Sequence, residues 1–207
     1  MNIIGLTGSI ATGKSTVARR AHLHGVPVLD ADQLAREVVA RGQPALQALV
    51  DAFGLGILTQ DGELDRPAMR DRITCEPETK QVLESITHPA IRTKMVESLQ
   101  VLAQQGHALA IVEAALLVET GSHRLYPILW VVACSPEVQL ARVMSRDQMS
   151  AESARALIAT QLDMDAKRAV ATVVFENNGN LEQLHQAVDE QLAKLGVLIQ
   201  ATDRPLQ

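Results

Sequence analysis

One glycine-rich stretch near the start of the chain restricts the folds that this sequence can adopt. Gly8, Gly13, Lys14 and Ser15 match the pattern G-x-x-x-x-G-K-[ST], after an apolar run that predicts a strand over Asn2–Thr7 and before a helical segment. Because glycine lacks a Cβ atom, the loop can turn successive backbone N–H groups towards a phosphate, and the helix beginning near Lys14 adds the positive end of its dipole. The stretch therefore predicts a nucleoside triphosphate site, with Lys14 on the β- and γ-phosphates and Ser15 as a ligand of Mg²⁺.

The composition argues against several other classes of protein. Aromatic residues make up only 2% of the chain, its net charge is −5 and it has no long basic run, which argues against a nucleic-acid partner. No apolar run approaches the roughly 18 residues of a membrane span. Cys75 and Cys134 are predicted to be buried thiols of a reducing compartment, and the first strand leaves no room for a signal peptide. We expect a cytoplasmic protein without nucleic-acid or membrane partners.

Strand and helix patterns alternate along the chain, which is typical of a doubly wound, mainly parallel α/β sheet flanked by helices. After the first strand, apolar runs predict four more, at 26–29, 108–117, 128–133 and 172–175. Residues 55–105 are too many for one crossover helix and predict a helical insertion, with Pro67 and Pro89 in the first turns of helices. The tail 200–207 lacks periodicity and is expected to fray.

Asp32 is the most informative residue outside the phosphate loop. It follows the second predicted strand, and the carboxyl ends of parallel strands face the ligand crevice in such sheets. Its carboxylate could accept a proton from an attacking hydroxyl or hold Mg²⁺ through water. It could equally cap a helix predicted over 33–41, and position alone favours neither reading. Asp30 fits a purely structural role better.

Further candidates are ambiguous when each is taken alone. Arg142 and Arg146 are four residues apart and share a helix face, where they could grip a triphosphate, yet spacing alone favours a solvated face paired with Glu137 or Asp147. Taken alone, His88 fits a turn that starts a helix, and Arg92 fits an exposed basic residue. Glu113 and Glu119 bracket the end of one strand and Asn177 follows another, so all three are expected to face the crevice.

Together these features resemble the dephospho-coenzyme A kinases, P-loop kinases related to the nucleoside monophosphate kinases. The resemblance runs from Ile3 to about Leu195. It is carried by Gly5-Leu6-Thr7-Gly8 leading into the phosphate loop, Leu29-Asp30-Ala31-Asp32-Gln33-Leu34-Ala35-Arg36, Ile86-Thr87-His88-Pro89-Ala90-Ile91-Arg92, Leu116-Leu117-Val118-Glu119, Arg142, Arg146-Asp147, Gln161 and Asn177-Asn178-Gly179.

The resemblance implies a P-loop kinase fold and transfer of the ATP γ-phosphate to the ribose 3′-hydroxyl of dephospho-coenzyme A, with Mg²⁺. We expect the protein to be a monomer. It implies one domain with a core (about 1–54, 106–140 and 170–200), a helical acceptor-binding insertion (about 55–105) and a mobile lid (about 141–169). Asp32, Lys14 and Arg142 would be catalytic, with Asp32 as the base. The ATP-binding residues would be Gly8, Ala11, Thr12, Gly13, Lys14, Ser15, Thr16, Arg142, Arg146 and Asn177, with Ser15 on the metal. The acceptor would contact Thr7, Asp32, His88, Arg92, Leu116, Leu117 and Glu119.

The chain departs from the family pattern at several points. Ser9 and Ala11 stand where the family usually has glycine, and Thr172 stands where it usually has aspartate. The usual Asp-x-Pro-Leu-Leu-Phe-Glu becomes Glu113-Ala114-Ala115-Leu116-Leu117-Val118-Glu119, and the lid has Leu157-Ile158 in place of Arg-Ile. Two alternatives stay open: a kinase of another small acceptor, such as a nucleoside or nucleoside monophosphate, and a nucleotide-hydrolysing regulatory switch.

Overall fold

The computed structural model describes residues 1–198, which form a five-stranded sheet with helices between the strands. The strands are β1 (Asn2–Thr7), β2 (Val28–Asp30), β3 (Leu109–Glu113), β4 (Ile128–Ala133) and β5 (Val173–Glu176). The helices are α1 (Lys14–Leu23), α2 (Ala31–Glu37), α3 (Pro44–Phe53), α4 (Arg66–Cys75), α5 (Pro77–Gln104), α6 (Pro136–Asp147), α7 (Ala151–Ile158), α8 (Met164–Ala169) and α9 (Leu181–Lys194). Short 3₁₀ turns lie at Leu55–Ile57 and Ser122–Leu125.

The strand order β2-β3-β1-β4-β5 places β1 at the centre of the sheet. β1 pairs in parallel with β3 and with β4, and β4 pairs in parallel with β5. The chain leaves β1 for β2 and β3 on one side and then crosses to β4 and β5 on the other. The winding therefore reverses beside β1, and ligands of open α/β sheets bind at the carboxyl ends of the strands at such a point. This sheet confirms the predicted fold class.

The main core packs α1 and α9 against the sheet. Ile4 and Leu6 of β1 are fully buried there, and Trp130 of β4 is 1% exposed. The Trp130 and Phe175 rings meet edge to face, with their centroids 5.1 Å apart. Across the α1–α9 contact, the Asp189 carboxylate accepts hydrogen bonds from Arg20 Nε at 2.7 Å and pairs with His24 Nε2 at 2.9 Å, and the His24 side chain is fully buried. This network joins α1 and the following turn to α9 at the edge of the core.

Residues 30–101 form a compact unit of their own, separate from the unit made by 1–29 and the chain from 102 onward. Its core joins Val38, Leu49, Ile57 and Met69, with residues of α5 packed against them. The helices α2, α3 and α4 and most of α5 therefore belong to one unit. None of the helices in residues 1–198 is long and apolar enough to cross a membrane.

Local signals explain where most elements begin and end. Ser135 accepts a hydrogen bond from the Val138 amide as the cap of α6, with Pro136 in its first turn. Asn180 caps α9 in a capping box with Gln183. The predicted bounds of β1 and β4 are confirmed.

Several predictions about local structure were wrong. Pro89 lies inside the 28-residue helix α5, not in a first turn. The apolar run 108–117 forms a strand only to Glu113, after which a turn carries Leu116 and Leu117. Cys134 is buried but Cys75 is exposed. The predicted frayed tail, 200–207, lies outside the described residues.

Pro89 lies on the exposed side of α5. A proline in a helix removes the hydrogen bond to the carbonyl four residues earlier, here that of Ser85. Both Pro89 and Ser85 are exposed residues. On the other side of the helix, Ile86, Ala90 and Ile91 pack against the core of the 30–101 unit and keep the helix continuous.

Candidate active site

The glycine-rich loop takes a backbone shape that two of its glycines require. Gly13 has φ +101° and is the N-cap of α1, and Gly8 has φ +155°. A Cβ on Gly8 would overlap the Val132 carbonyl oxygen of β4, and a Cβ on Gly13 would overlap the Asn177 side-chain amide. The loop is thus pressed between the carboxyl ends of β4 and β5, and only glycine fits at both positions.

Two glutamine side chains hold the middle of the loop. Gln139 Nε2 of α6 donates to the Ile10 carbonyl at 3.0 Å, and the Ile10 amide donates to Gln161 Oε1 at 2.7 Å. The next residue, Ala11, has φ +58°, a left-handed conformation that costs a non-glycine residue roughly 1–2 kcal/mol. Hydrogen bonds to the N–H and to the C=O of Ile10 therefore stabilise a conformation that Ala11 alone would disfavour.

Lys14 and Ser15 lie at the start of α1, as the motif predicts. Lys14 Nζ donates to the carbonyl oxygens of Gly8 at 2.9 Å and Ser9 at 3.2 Å, so its ammonium lies across the mouth of the loop. The Ser15 side chain is exposed in the first turn of α1. Lys14 is thus positioned to exchange carbonyl contacts for phosphate oxygens.

Asn177 and Arg142 line a pocket of about 280 Å³ beside the loop. Asn177 Nδ2 donates to the Thr12 carbonyl at 2.8 Å, and its Oδ1 accepts a long hydrogen bond of 3.4 Å from Arg142 Nη2. The other guanidinium nitrogen, Arg142 Nη1, is buried and has no hydrogen-bond partner among the described residues. The pocket is lined by Ala11, Gly13, Thr16, Arg142, Asn177, Gly179, Leu181 and Leu184.

The orphaned Arg142 nitrogen tests whether these residues fit a nucleotide. An unpaired, buried cationic donor is costly unless a partner arrives, and phosphate oxygens are strong acceptors for guanidinium groups. The same pocket is lined by Gly13, one of the two glycines that form the glycine cradle of the loop, and by Thr16 in the first turn of α1. A nucleoside triphosphate would satisfy all three features, so the residues present fit the ligand that the motif predicts.

Arg146 lies one turn further along α6 and is exposed. Its guanidinium makes two hydrogen bonds to its neighbour Asp147, at 2.8 and 2.7 Å. These bonds lower the pKa of the Asp147 carboxyl. The structure therefore shows Arg146 in the solvated pair that spacing alone favoured, whereas Arg142 faces the pocket.

The turn after β3 brings several of the predicted acceptor residues together. Thr7 Oγ1 donates to the Ala115 carbonyl at 3.2 Å. Leu116 is 44% exposed while Leu117 is 4% exposed, so Leu116 is the one that a ligand can reach. Glu119 forms an ion pair with Lys167 Nζ at 2.6 Å. Burial raises the pKa of Glu119, but the Lys167 hydrogen bond and backbone N–H donors outweigh it and the net pKa is lowered.

The remaining candidates belong to the 30–101 unit. Asp30 is the N-cap of α2, with Oδ1 accepting from the amides of Asp32 at 2.8 Å and Gln33 at 3.1 Å. Asp32 lies in the first turn with an exposed side chain, so its reading as the helix cap was wrong and Asp30 has the structural role. His88 and Arg92 are exposed and one turn apart on α5, and no hydrogen-bond or ion-pair partner is seen for either side chain within residues 1–198.

Sequence reasoning missed two residues that shape the site. Gln139 holds the Ile10 carbonyl, and Lys167 is fully buried against the turn after β3. The only sequence signal for Gln139 was its place on the same face of α6 as Arg142, three residues on. Lys167 gave no signal, because its partner Glu119 is far away in the chain.

Most of the chain is similar to one family of proteins. The family model described as dephospho-CoA kinase matches residues 2–183. A dephospho-CoA kinase of Geobacter sulfurreducens is 45% identical over 94% of this chain and 98% of its own.

Two solved structures are also similar to this chain in fold and sequence. A Thermus thermophilus crystal structure has a TM-score of 0.79 at 36% identity, covering 94% of this chain and 97% of its own. A Campylobacter jejuni dephospho-CoA kinase has a TM-score of 0.70 at 29% identity, covering 94% and 96%. The phosphate loop and its pocket therefore lie in a chain that belongs to the dephospho-CoA kinase family.

Proposed function

We propose that this protein transfers the γ-phosphate of ATP to the ribose 3′-hydroxyl of dephospho-coenzyme A, giving coenzyme A and ADP. Family membership over nearly the whole chain supports the acceptor and makes ATP the phosphate donor. The observation that carries the chemistry is the Arg142 guanidinium, which lines the pocket beside the phosphate loop and has one buried nitrogen, Nη1, without a hydrogen-bond partner among the described residues. A guanidinium whose hydrogen-bonding capacity is only partly used is suited to a polyanionic ligand.

Residues of the phosphate loop and of its pocket would bind the phosphate donor, ATP. The backbone amides of the loop would bind the phosphates, and Lys14 would leave the Gly8 and Ser9 carbonyls for the β- and γ-phosphates. The exposed Ser15 hydroxyl would be a ligand of Mg²⁺, which would neutralise charge on the phosphate oxygens. Asn177 would keep Thr12 in place and border the nucleoside.

The transfer itself needs positioning more than covalent chemistry. The acceptor 3′-oxygen bonds to the γ-phosphorus as the bond from that phosphorus to the β,γ-bridging oxygen breaks. Asp32 would orient the 3′-hydroxyl and take its proton. Arg142 would stabilise the charge that spreads over the transferring oxygens, and Arg146 would contribute only after leaving Asp147.

Other parts of the chain complete the proposal. His88 and Arg92 of the 30–101 unit, with Leu116 and Glu119, would contact the acceptor. The α7–α8 region, within residues 141–169, would act as the lid and exclude water, which would otherwise accept the phosphoryl group. We further propose a cytoplasmic monomer that takes no nucleic acid.

One assay separates this function from its rivals. ATP turnover is measured with dephospho-coenzyme A, with adenosine, with nucleoside monophosphates and with no acceptor. We expect turnover only with dephospho-coenzyme A, and a new 3′-phosphomonoester in the phosphorus NMR spectrum of the product. Adenosine lacks the pantetheine arm and should react poorly, since remote binding energy positions the reacting hydroxyl. Equal kcat/KM for adenosine would favour a nucleoside kinase, and acceptor-independent hydrolysis would favour a switch.

A further inference from the structure

Lys167 is a charged residue that the proposed reaction does not use, and it is completely buried. Lysine is almost never fully buried unless its charge is paired, because removing an ammonium from water is costly. The exposed fraction of the Lys167 side chain is zero. Lys167 lies in the short surface helix α8, and its contacts must offset the free-energy cost of burying its charge.

Those contacts all lie in the turn after β3. Lys167 Nζ donates to the Ala115 carbonyl at 3.0 Å and pairs with Glu119 Oε1 at 2.6 Å. The Leu162 amide donates to the same Glu119 oxygen at 3.1 Å, and Thr7 Oγ1 donates to the same Ala115 carbonyl. Both ends of the turn, 115 and 119, are therefore bound by one ammonium group.

The segment that carries Lys167 also contacts the phosphate loop. Gln161 accepts the Ile10 amide at 2.7 Å, and the chain then runs through Leu162, which bonds Glu119, to Lys167. Residues 161–167 thus contact the donor loop at one end and the 115–119 turn at the other. The loop contact is made by Gln161, whereas Leu162 and Lys167 make the contacts with the turn, so the contacts of Lys167 itself are with the turn alone.

We propose that Lys167 is a positioning residue that fixes the 115–119 turn in its acceptor-binding conformation. The proposal rests on the proposed function, because it takes this turn as part of the acceptor site. Lys167 need not touch the acceptor. Without the Lys167 ammonium, Ala115 and Glu119 lose their shared partner and the turn samples other conformations. The apparent Kd for the acceptor then rises, because it equals the intrinsic Kd divided by the fraction of molecules whose turn is in the binding conformation.

The test is a split between the two substrates in the variant Lys167→Met, which keeps an unbranched side chain and removes the charge. We expect KM and the directly measured Kd for dephospho-coenzyme A to rise about tenfold or more, as for loss of a hydrogen bond to a charged group. The KM for ATP should change by less than about threefold, because the glycine cradle, Lys14 and Arg142 are intact.

Arg168→Met is the matched control in the same helix. Arg168 makes two 3.0 Å hydrogen bonds to Glu176 of β5 and none to the turn. A role in merely docking α8 predicts that both variants lower the melting temperature and shift the two KM values alike. Our proposal predicts the acceptor-specific rise for Lys167→Met alone.

Lys167→Gln covers the case in which Lys167→Met does not fold. It keeps a polar group at this position and removes the charge that pairs with Glu119, so a smaller acceptor-specific rise of about threefold is expected. An unchanged acceptor KM in the variant that folds, or equal shifts for ATP and acceptor, overturns the role of Lys167 while the proposed function stands. Absence of turnover by the wild-type protein overturns the proposed function, and this inference with it.

Discussion

Replacing Asp32 with asparagine separates catalysis from helix stability, because Asp30 holds the cap. Asp30 Oδ1 accepts the Asp32 and Gln33 amides, and neither bond involves the Asp32 side chain. Asp32→Asn therefore removes only a negative charge from the first turn of α2, which is worth about 0.3–1 kcal/mol. For a chain of this length we expect the melting temperature to fall by about 1–4 °C.

The expected effect on the rate is much larger. A positioned general base contributes about 10²–10⁴ to kcat, which corresponds to about 3–5 kcal/mol of barrier. The KM for ATP should change little, because the phosphate loop does not use Asp32. Steady-state kinetics and thermal unfolding on one preparation of Asp32→Asn compare the two quantities directly.

Asp30→Asn is the control, since it removes the same charge from the same end of α2 and keeps a capping oxygen. We expect it to share the small loss in melting temperature and to keep the wild-type kcat. The reasoning is refuted if Asp32→Asn turns over within a few-fold of wild type, or if Asp30→Asn loses as much activity as Asp32→Asn.

Three further variants test other parts of the structure. Lys14→Ala should lower kcat by about 10²–10³, as for loss of one donor to developing charge, with only a small change in ligand-free melting temperature; near-normal turnover would contradict the role of the loop. Asn177→Ala leaves the Thr12 carbonyl without its donor and should cost about 1–3 kcal/mol of unfolding free energy and raise the KM for ATP, both measurable by denaturant titration and kinetics. Burial raises the pKa of Asp189, but the hydrogen bonds from Arg20 and His24 outweigh burial, so the pKa is lower in the folded protein than in the unfolded chain. Asp189 therefore stabilises the protein at pH values above its unfolded pKa of about 4, and this stability is lost as the pH falls through the lower folded pKa. Asp189→Asn should therefore flatten the acid limb of a stability–pH curve, and an unchanged limb would contradict this account.

The sequence predicted the elements whose ends carry their own chemical signals. The glycines of the phosphate loop mark the boundary between β1 and α1 through local backbone preferences. The strand–loop–helix context of Gly8 to Ser15 was enough to place Lys14 and Ser15 at the start of α1. These features depend on neighbours within a few residues, which a single sequence displays.

The features that were missed depend on tertiary contacts. The end of β3 at Glu113 is set by where pairing with β1 stops, and the apolar run up to Leu117 carries no mark of it. Pro89 reads as a helix start, yet the apolar face of α5 continues through it. Lys167 looks like an ordinary surface lysine until the fold brings Glu119, 48 positions earlier in the sequence, to its ammonium.

The single tryptophan makes the unfolding of this protein unusually easy to dissect. Trp130 is buried against Phe175 in the core of the sheet, and the one tyrosine, Tyr126, precedes the same strand. Residues 30–101 contain neither residue type but are mostly helical. Intrinsic fluorescence therefore follows the sheet-bearing unit alone, while far-ultraviolet circular dichroism follows both units. Two transitions that fail to coincide would show that the 30–101 unit melts independently of the unit that holds the phosphate loop.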